Sequence, residues 1–177
     1  MPSVNDIQRK AGWAALDFAN WSLRDGYQVK DPAIVNFGTI ANIVRNTFPN
    51  MSVGQRDFNF ALADWKIWED FLGNVPTQKK IKYYAEKFDC DNFAYYASVM
   101  SSLCLLLNSC GRVYCQVYRK DNGQFVAGHY CNLIPTATND VYLFDLNNSG
   151  GWAKCVLGKN PVIGNWEYRG LNNVEFF

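Results

Sequence analysis

The hydrophobic patterning predicts an α+β fold: N-terminal helices, then a buried central helix packed on an antiparallel β-sheet. Three observations carry that expectation. Through the first half of the chain, apolar residues recur at helical spacing. Residues 97–107 (ASVMSSLCLLL) carry so little polarity that they read as part of a central, buried helix. After Asn108 the chain turns to β-branched and aromatic runs broken by turn residues.

Taken in order, residues 3–23 open on Ser3 as an N-cap and place Ile7, Ala11, Ala14, Ala15, Phe18 and Ala19 at helical spacing. Gly26 offers a stop. Pro32 starts a second short helix that reaches about residue 48, ahead of Pro49. Residues 52–72 give the clearest helical pattern, capped by Ser52, with Phe58, Leu62, Trp65, Trp68 and Leu72 on one face. Gly73, Asn74 and Pro76 end it. A short segment, residues 77–87, leads to Asp89-Cys90-Asp91, where either carboxylate can accept the unpaired N–H groups of the next helix. That helix runs to about residue 107.

Residues 112–119 (RVYCQVYR) then read as a strand, Asp121-Asn122-Gly123 as a tight hairpin turn, and residues 125–133 as the returning strand. A loop through Pro135 and Asp140 precedes a third strand at 141–146. The stretch NNSGGW turns the chain again, and further strands fall at 152–157 and 165–177. The whole reads as one domain, 1–177, with a helical part over 1–76 and the capped helix plus sheet over 77–177.

Composition narrows the function classes. With 49% apolar and 19% charged residues in 177, the chain can bury a substantial core. Seventeen Lys and Arg against sixteen Asp and Glu leave a net charge of +1, and Lys79, Lys80 and Lys82 form only a small basic cluster. Phosphate backbones need a larger positive excess, so no nucleic-acid partner is expected. No segment is apolar enough over the required length to span a bilayer, and Asp6 interrupts the start where a secretory signal would be apolar. A cytoplasmic protein is expected, with most of its six cysteines as free, buried thiols. Trp65, Trp68 and Trp166 read first as core residues, with the lining of a cleft beside Cys90 as the second reading. The pair His129-x-Cys131 has no second histidine or Cys-x-x-Cys to complete a metal site, and no cofactor is called for.

One constellation could carry chemistry. Cys90 stands at a helix N-terminus, where unpaired N–H groups favour a thiolate. His129, the chain's one histidine, lies on a strand, and Asp145 lies on the next strand. A base beside a thiol and a carboxylate behind the base are the parts that nucleophilic catalysis requires. Asp91, Asn132 and Asn147 are candidate oxyanion or substrate contacts. The flanking Asp89 and Asp91 oppose a thiolate unless they cap the backbone or turn away. The competing reading of Cys90 is core filler, since free cysteine is among the most buried residue types.

Cys90-Asp91-Asn92-Phe93-Ala94 resembles the Cys-x-x-Phe-Ala helix start of the transglutaminase-like branch of papain-fold cysteine enzymes. Gly128-His129-Tyr130-Cys131-Asn132 resembles that branch's histidine strand, and Tyr142-Leu143-Phe144-Asp145-Leu146-Asn147 its aspartate strand. The likeness covers roughly residues 81–150 and is closest to small phage and bacterial members, which adds the virion as a possible location. It implies a papain-like core and a cysteine-dependent acyl-transfer enzyme of the hydrolase or thiol-protease kind. Cys90, His129 and Asp145 would form its triad, and a peptide or other amide would be its substrate. The alternative is a non-catalytic binding or structural module whose aromatic cleft grips a protein or other partner.

Overall fold

The computed structural model describes residues 29, 31–74, 89–148 and 151–176. Among them, three helices serve a mostly β architecture of ten strands. The first elements are strand β1 (Ala33–Asn36), helix α1 (Phe37–Thr47), strands β2 (Ser52–Gln55) and β3 (Asn59–Leu62), and helix α2 (Trp65–Asn74). Helix α3 (Cys90–Leu105) comes next. It is followed by β4 (Gly111–Arg119), β5 (Phe125–Pro135), β6 (Val141–Asp145), β7 (Gly151–Lys154), β8 (Val162–Ile163), β9 (Trp166–Arg169) and β10 (Asn173–Phe176).

The large sheet runs in the order β2-β10-β4-β5-β6-β7, with β9 also on β4 and β8 on β9. Its pairs are antiparallel except β10–β2, which is parallel. The β4–β5 hairpin closes where Gly123 takes a φ of 68°, a conformation open to glycine at no steric cost. Gly123 N–H donates to Arg119 O there, and Gln124 N–H to the Asn122 side chain.

Two apolar layers cover this sheet. On one face Val113, Cys115 and Val117 alternate inward along β4 and meet Ile40 and Val44 of α1, Leu143 of β6 and Tyr168 of β9. On the other face Ile134 and Phe144 meet Trp68 and Phe71 of α2 and Phe93, Ala97 and Met100 of α3. All five residues of β6 are buried. At roughly 1.5–3 kcal/mol for each large apolar side chain removed from water, β6 is costly to displace, and it ends on Asp145.

The fold class differs from the sequence expectation. In place of helices over the first half, residues 32–48 divide into β1 and α1, and residues 52–72 into β2, β3 and the start of α2. The expected helix over 3–23 and the segment 77–87 lie outside the described residues. Helical spacing over 52–72 had put Phe58 inside. In the structure Phe58 is 82% exposed and Phe60 is fully buried, because β3 pairs with β1 and faces both apolar layers. Nor is α3 a helix buried all round: Tyr95, Val99 and Leu103, spaced four apart, form an exposed stripe. It is one of three helices laid on a β-rich body, and the expected α+β arrangement with a buried central nucleophile helix gives way to this one.

Candidate functional site

Asn92 and Asp89 define where α3 begins. Asp89 is extended at the N-cap, and its backbone N–H donates to the Asn92 side chain at 3.2 Å, one half of a capping box. The Asp91 carboxylate accepts the Asn92 N–H at 2.9 Å and so is occupied with local backbone. Cys90 is thereby held at the first helical position, half-buried, among the unpaired N–H groups.

On the sheet, β5 and β6 pair with Asn132 opposite Phe144. One step further along this register, Asp145 falls opposite Cys131, and His129 lies two residues on along the same face. Alternation therefore aims His129 and Asp145 together. His129 Nε2 and Asp145 Oδ2 are 2.9 Å apart, and both residues are buried. With Nε2 engaged, Nδ1 is the ring nitrogen left for Cys90. Asp145 is fully engaged as an acceptor. Its Oδ2 also receives the Tyr168 hydroxyl at 2.7 Å, and its Oδ1 receives the backbone N–H groups of Asn147 and Asn148 at 3.0 and 3.2 Å.

Electrostatics follow this geometry. Burial would raise the Cys90 thiol. Hydrogen bonds to His129 and to the Tyr130 backbone, with the imidazole's charge, bring it below its usual value against a small opposing effect of Asp89. Burial would lower His129, yet its hydrogen bonds to Asp145 and Cys90 push it up to about 10. His129 is therefore the imidazolium across neutral pH, and its charge favours the Cys90 thiolate. By contrast, burial pushes Cys104 up to about 11, Cys110 and Cys155 up to about 12, and Cys131 well above the usual range. Iodoacetamide at pH 6–7 is expected to alkylate Cys90 about tenfold or more faster than any other cysteine. Peptide mapping of the labelled protein checks this, and uniform slow labelling would contradict it.

A cleft of about 240 Å³ opens beside the imidazole. Val117, Val126 and Ala127 form its apolar wall, and His129, Asn147, Asn148 and the half-buried Trp166 supply its polar and aromatic groups. Cys90 does not line it among the described residues.

The sequence candidates thus separate. Cys90, His129 and Asp145 come together, and Asn147 joins them at the cleft. Asp91 is bound to its own helix start. Asn132 is elsewhere: fully buried, it donates to Ala94 O at 2.9 Å, Ser98 Oγ at 3.2 Å and Gly111 O at 3.4 Å, tying α3 to the sheet. Trp68 is core as expected, whereas Trp166 borders the cleft. Tyr168 and Asn148 went unseen, because one tyrosine in a β-strand and one asparagine in a turn are ordinary. No group of three or more histidine, cysteine or acidic side chains is placed to hold a metal among the described residues.

No family model matches the chain, and no curated protein matches it. Solved structures do. PSL1a, in a complex with E64, is 15% identical with a TM-score of 0.54, over 81% of this chain and 51% of that one. The lectin of Polyporus squamosus, bound to the human-type influenza-binding epitope Neu5Aca2-6Galb1-4GlcNAc, is 14% identical with a TM-score of 0.50. That match covers 68% of this chain and 45% of the lectin. The chain therefore spans about half the length of each, and at such identity the likeness is one of fold. A β-rich body shared with a lectin replaces the expected membership in the transglutaminase-like, papain-fold enzymes. With it goes the main functional expectation, a cysteine-dependent acyl-transfer enzyme of the hydrolase or protease class.

Proposed function

We propose that the chain is a ligand-binding module whose cleft beside His129 takes a single uncharged sugar ring. The observation that carries this reading is the cleft itself: an indole, Trp166, stands with the amides of Asn147 and Asn148 around a buried, fully engaged carboxylate. Ligand sites are concave, with apolar and aromatic walls and a few placed polar groups, and they usually run to roughly 300–1,000 Å³. A volume of about 240 Å³ suits one ring rather than an extended chain. Support also comes from the shared fold, since the Polyporus squamosus lectin is described with a bound trisaccharide. His129 and Asp145 then act as the polar floor of the binding site, with Asn147 as a direct contact. The paired His129 and Asp145 at that floor offset one another's charge, which suits an uncharged ring.

The experiment is a titration with neutral and sialylated oligosaccharides, followed by NMR on the tryptophan indole N–H signals. Neutral sugars should perturb the Trp166 signal, and Trp166→Ala should weaken binding about tenfold, or 1.4 kcal/mol. Silence toward every sugar at millimolar concentration would remove the reading, and a preference for the sialylated member would reverse its charge argument. No helix among the described residues is long and apolar enough to cross a membrane. A reducing compartment, the cytoplasm, completes the proposal: all six cysteines are free, although the Cys115 and Cys131 sulfurs lie 3.7 Å apart.

A further inference from the structure

Tyr168 is a residue of β9, paired opposite Val117 of β4 and almost wholly buried. A core tyrosine commonly turns its hydroxyl to solvent or to a backbone carbonyl. This one donates at 2.7 Å to Asp145 Oδ2, the same oxygen that His129 Nε2 meets at 2.9 Å. Asn148 closes the arrangement: its side-chain Nδ2 donates to the Tyr168 oxygen at 3.2 Å, while its backbone N–H donates to Asp145 Oδ1 at 3.2 Å. The carboxylate is thus held at both oxygens by groups from β9 and from the turn after β6.

We infer that Tyr168 is a positioning residue of this site: by sharing Asp145 Oδ2 with His129 it fixes the carboxylate, and through it the imidazole presented to Cys90. A carboxylate held by His129 and two backbone donors alone could rotate and carry the ring with it. A second donor on Oδ2 stops that rotation and also draws negative charge from the oxygen facing the imidazole, which moderates its pull on the His129 proton. Burial, then the charge and hydrogen bond of Asp145, raise the Tyr168 phenol far above its usual range, so it remains a donor at every working pH. The inference is independent of what the cleft binds.

The test is made without ligand, so its outcome is separable from that of the sugar titration. His129 is the only histidine, and its ring C–H signals can be followed by NMR across pH without assignment ambiguity. In Tyr168→Phe the His129 midpoint should rise by about half a unit or more, and the pH profile of Cys90 alkylation should move with it. Asn148→Ala should shift both in the same direction by less, since it removes only the donor behind the phenol. A Tyr168→Phe protein that melts lower, yet has an unchanged or lowered His129 midpoint, would show a merely structural tyrosine and overturn the inference. Should Tyr168→Phe not fold, Asn148→Ala carries the test alone, and an unmoved midpoint there overturns it equally.

Discussion

Asp145→Ala is expected to destabilise the protein by about 3–5 kcal/mol, the range for removing one member of a buried charge pair. The carboxylate is 3% exposed and accepts four hydrogen bonds, so its loss strands several donors at once. His129 would stay buried without its counter-charge, the Tyr168 hydroxyl would lose its acceptor, and the two N–H groups of the turn after β6 would open. Urea unfolding of wild type and variant measures the difference. A loss below about 1 kcal/mol, the level of an exposed pair, would mean the network contributes little.

The same replacement should have a pH signature. His129 is raised in the folded protein from 6.5 to about 10, with Asp145 the first cause acting in that direction. A group raised in this way contributes stability that is complete below its unfolded value and is lost as pH climbs through its folded value. The gap between wild type and Asp145→Ala should therefore be widest near pH 6 and should narrow toward pH 10. Cys90 acts oppositely: lowered in the folded state, it adds stability that is complete only above 9.0, its ordinary value. Wild-type stability should for that reason fall less steeply above pH 6.5 than the histidine alone would make it. The comparison with Asp145→Ala exposes the histidine's share.

Legibility from sequence followed how local each signal was. The β4–β5 hairpin is visible because Asp121-Asn122-Gly123 dictates its turn within three residues, and because Val113, Cys115 and Val117 alternate inward beside it. His129 and Asp145 could be paired in advance because each sits on a strand, and neighbouring strands of one face bring such residues together. The first half misleads for the converse reason. Residues 52–55 become a strand by pairing with β10, more than a hundred residues away, and residues 59–62 pair with β1 while Asn108 and Ser109 bond Ala61. Nothing in the spacing of Phe58, Leu62, Trp65 and Trp68 reports those distant partners, and a helix is the better local fit. The same limit hid Tyr168, whose role exists only through the pairing of β9 with β4.

Asn132 provides the second large effect, and it separates a structural role from the ligand-contacting one that its place near His129 suggested. Asn132→Ala should destabilise the fold by about 2–3 kcal/mol, combining unmet polar groups with the space left by the amide. The amide is fully buried and reaches α3 through Ala94 O and Ser98 Oγ and β4 through Gly111 O. Ser98 itself donates to Cys110 O at 2.7 Å, so one short polar strip fixes the helix that carries Cys90 over the strand that carries His129. Asn132→Leu restores most of the volume without the donors and should recover the cavity share only. If Asn132 instead contacted ligand, Asn132→Ala would leave the urea midpoint unchanged and weaken sugar binding at the cleft. The expected result is the reverse: a lowered midpoint, slower alkylation of Cys90 as α3 loses its hold, and binding at Trp166 affected only through the stability of the fold.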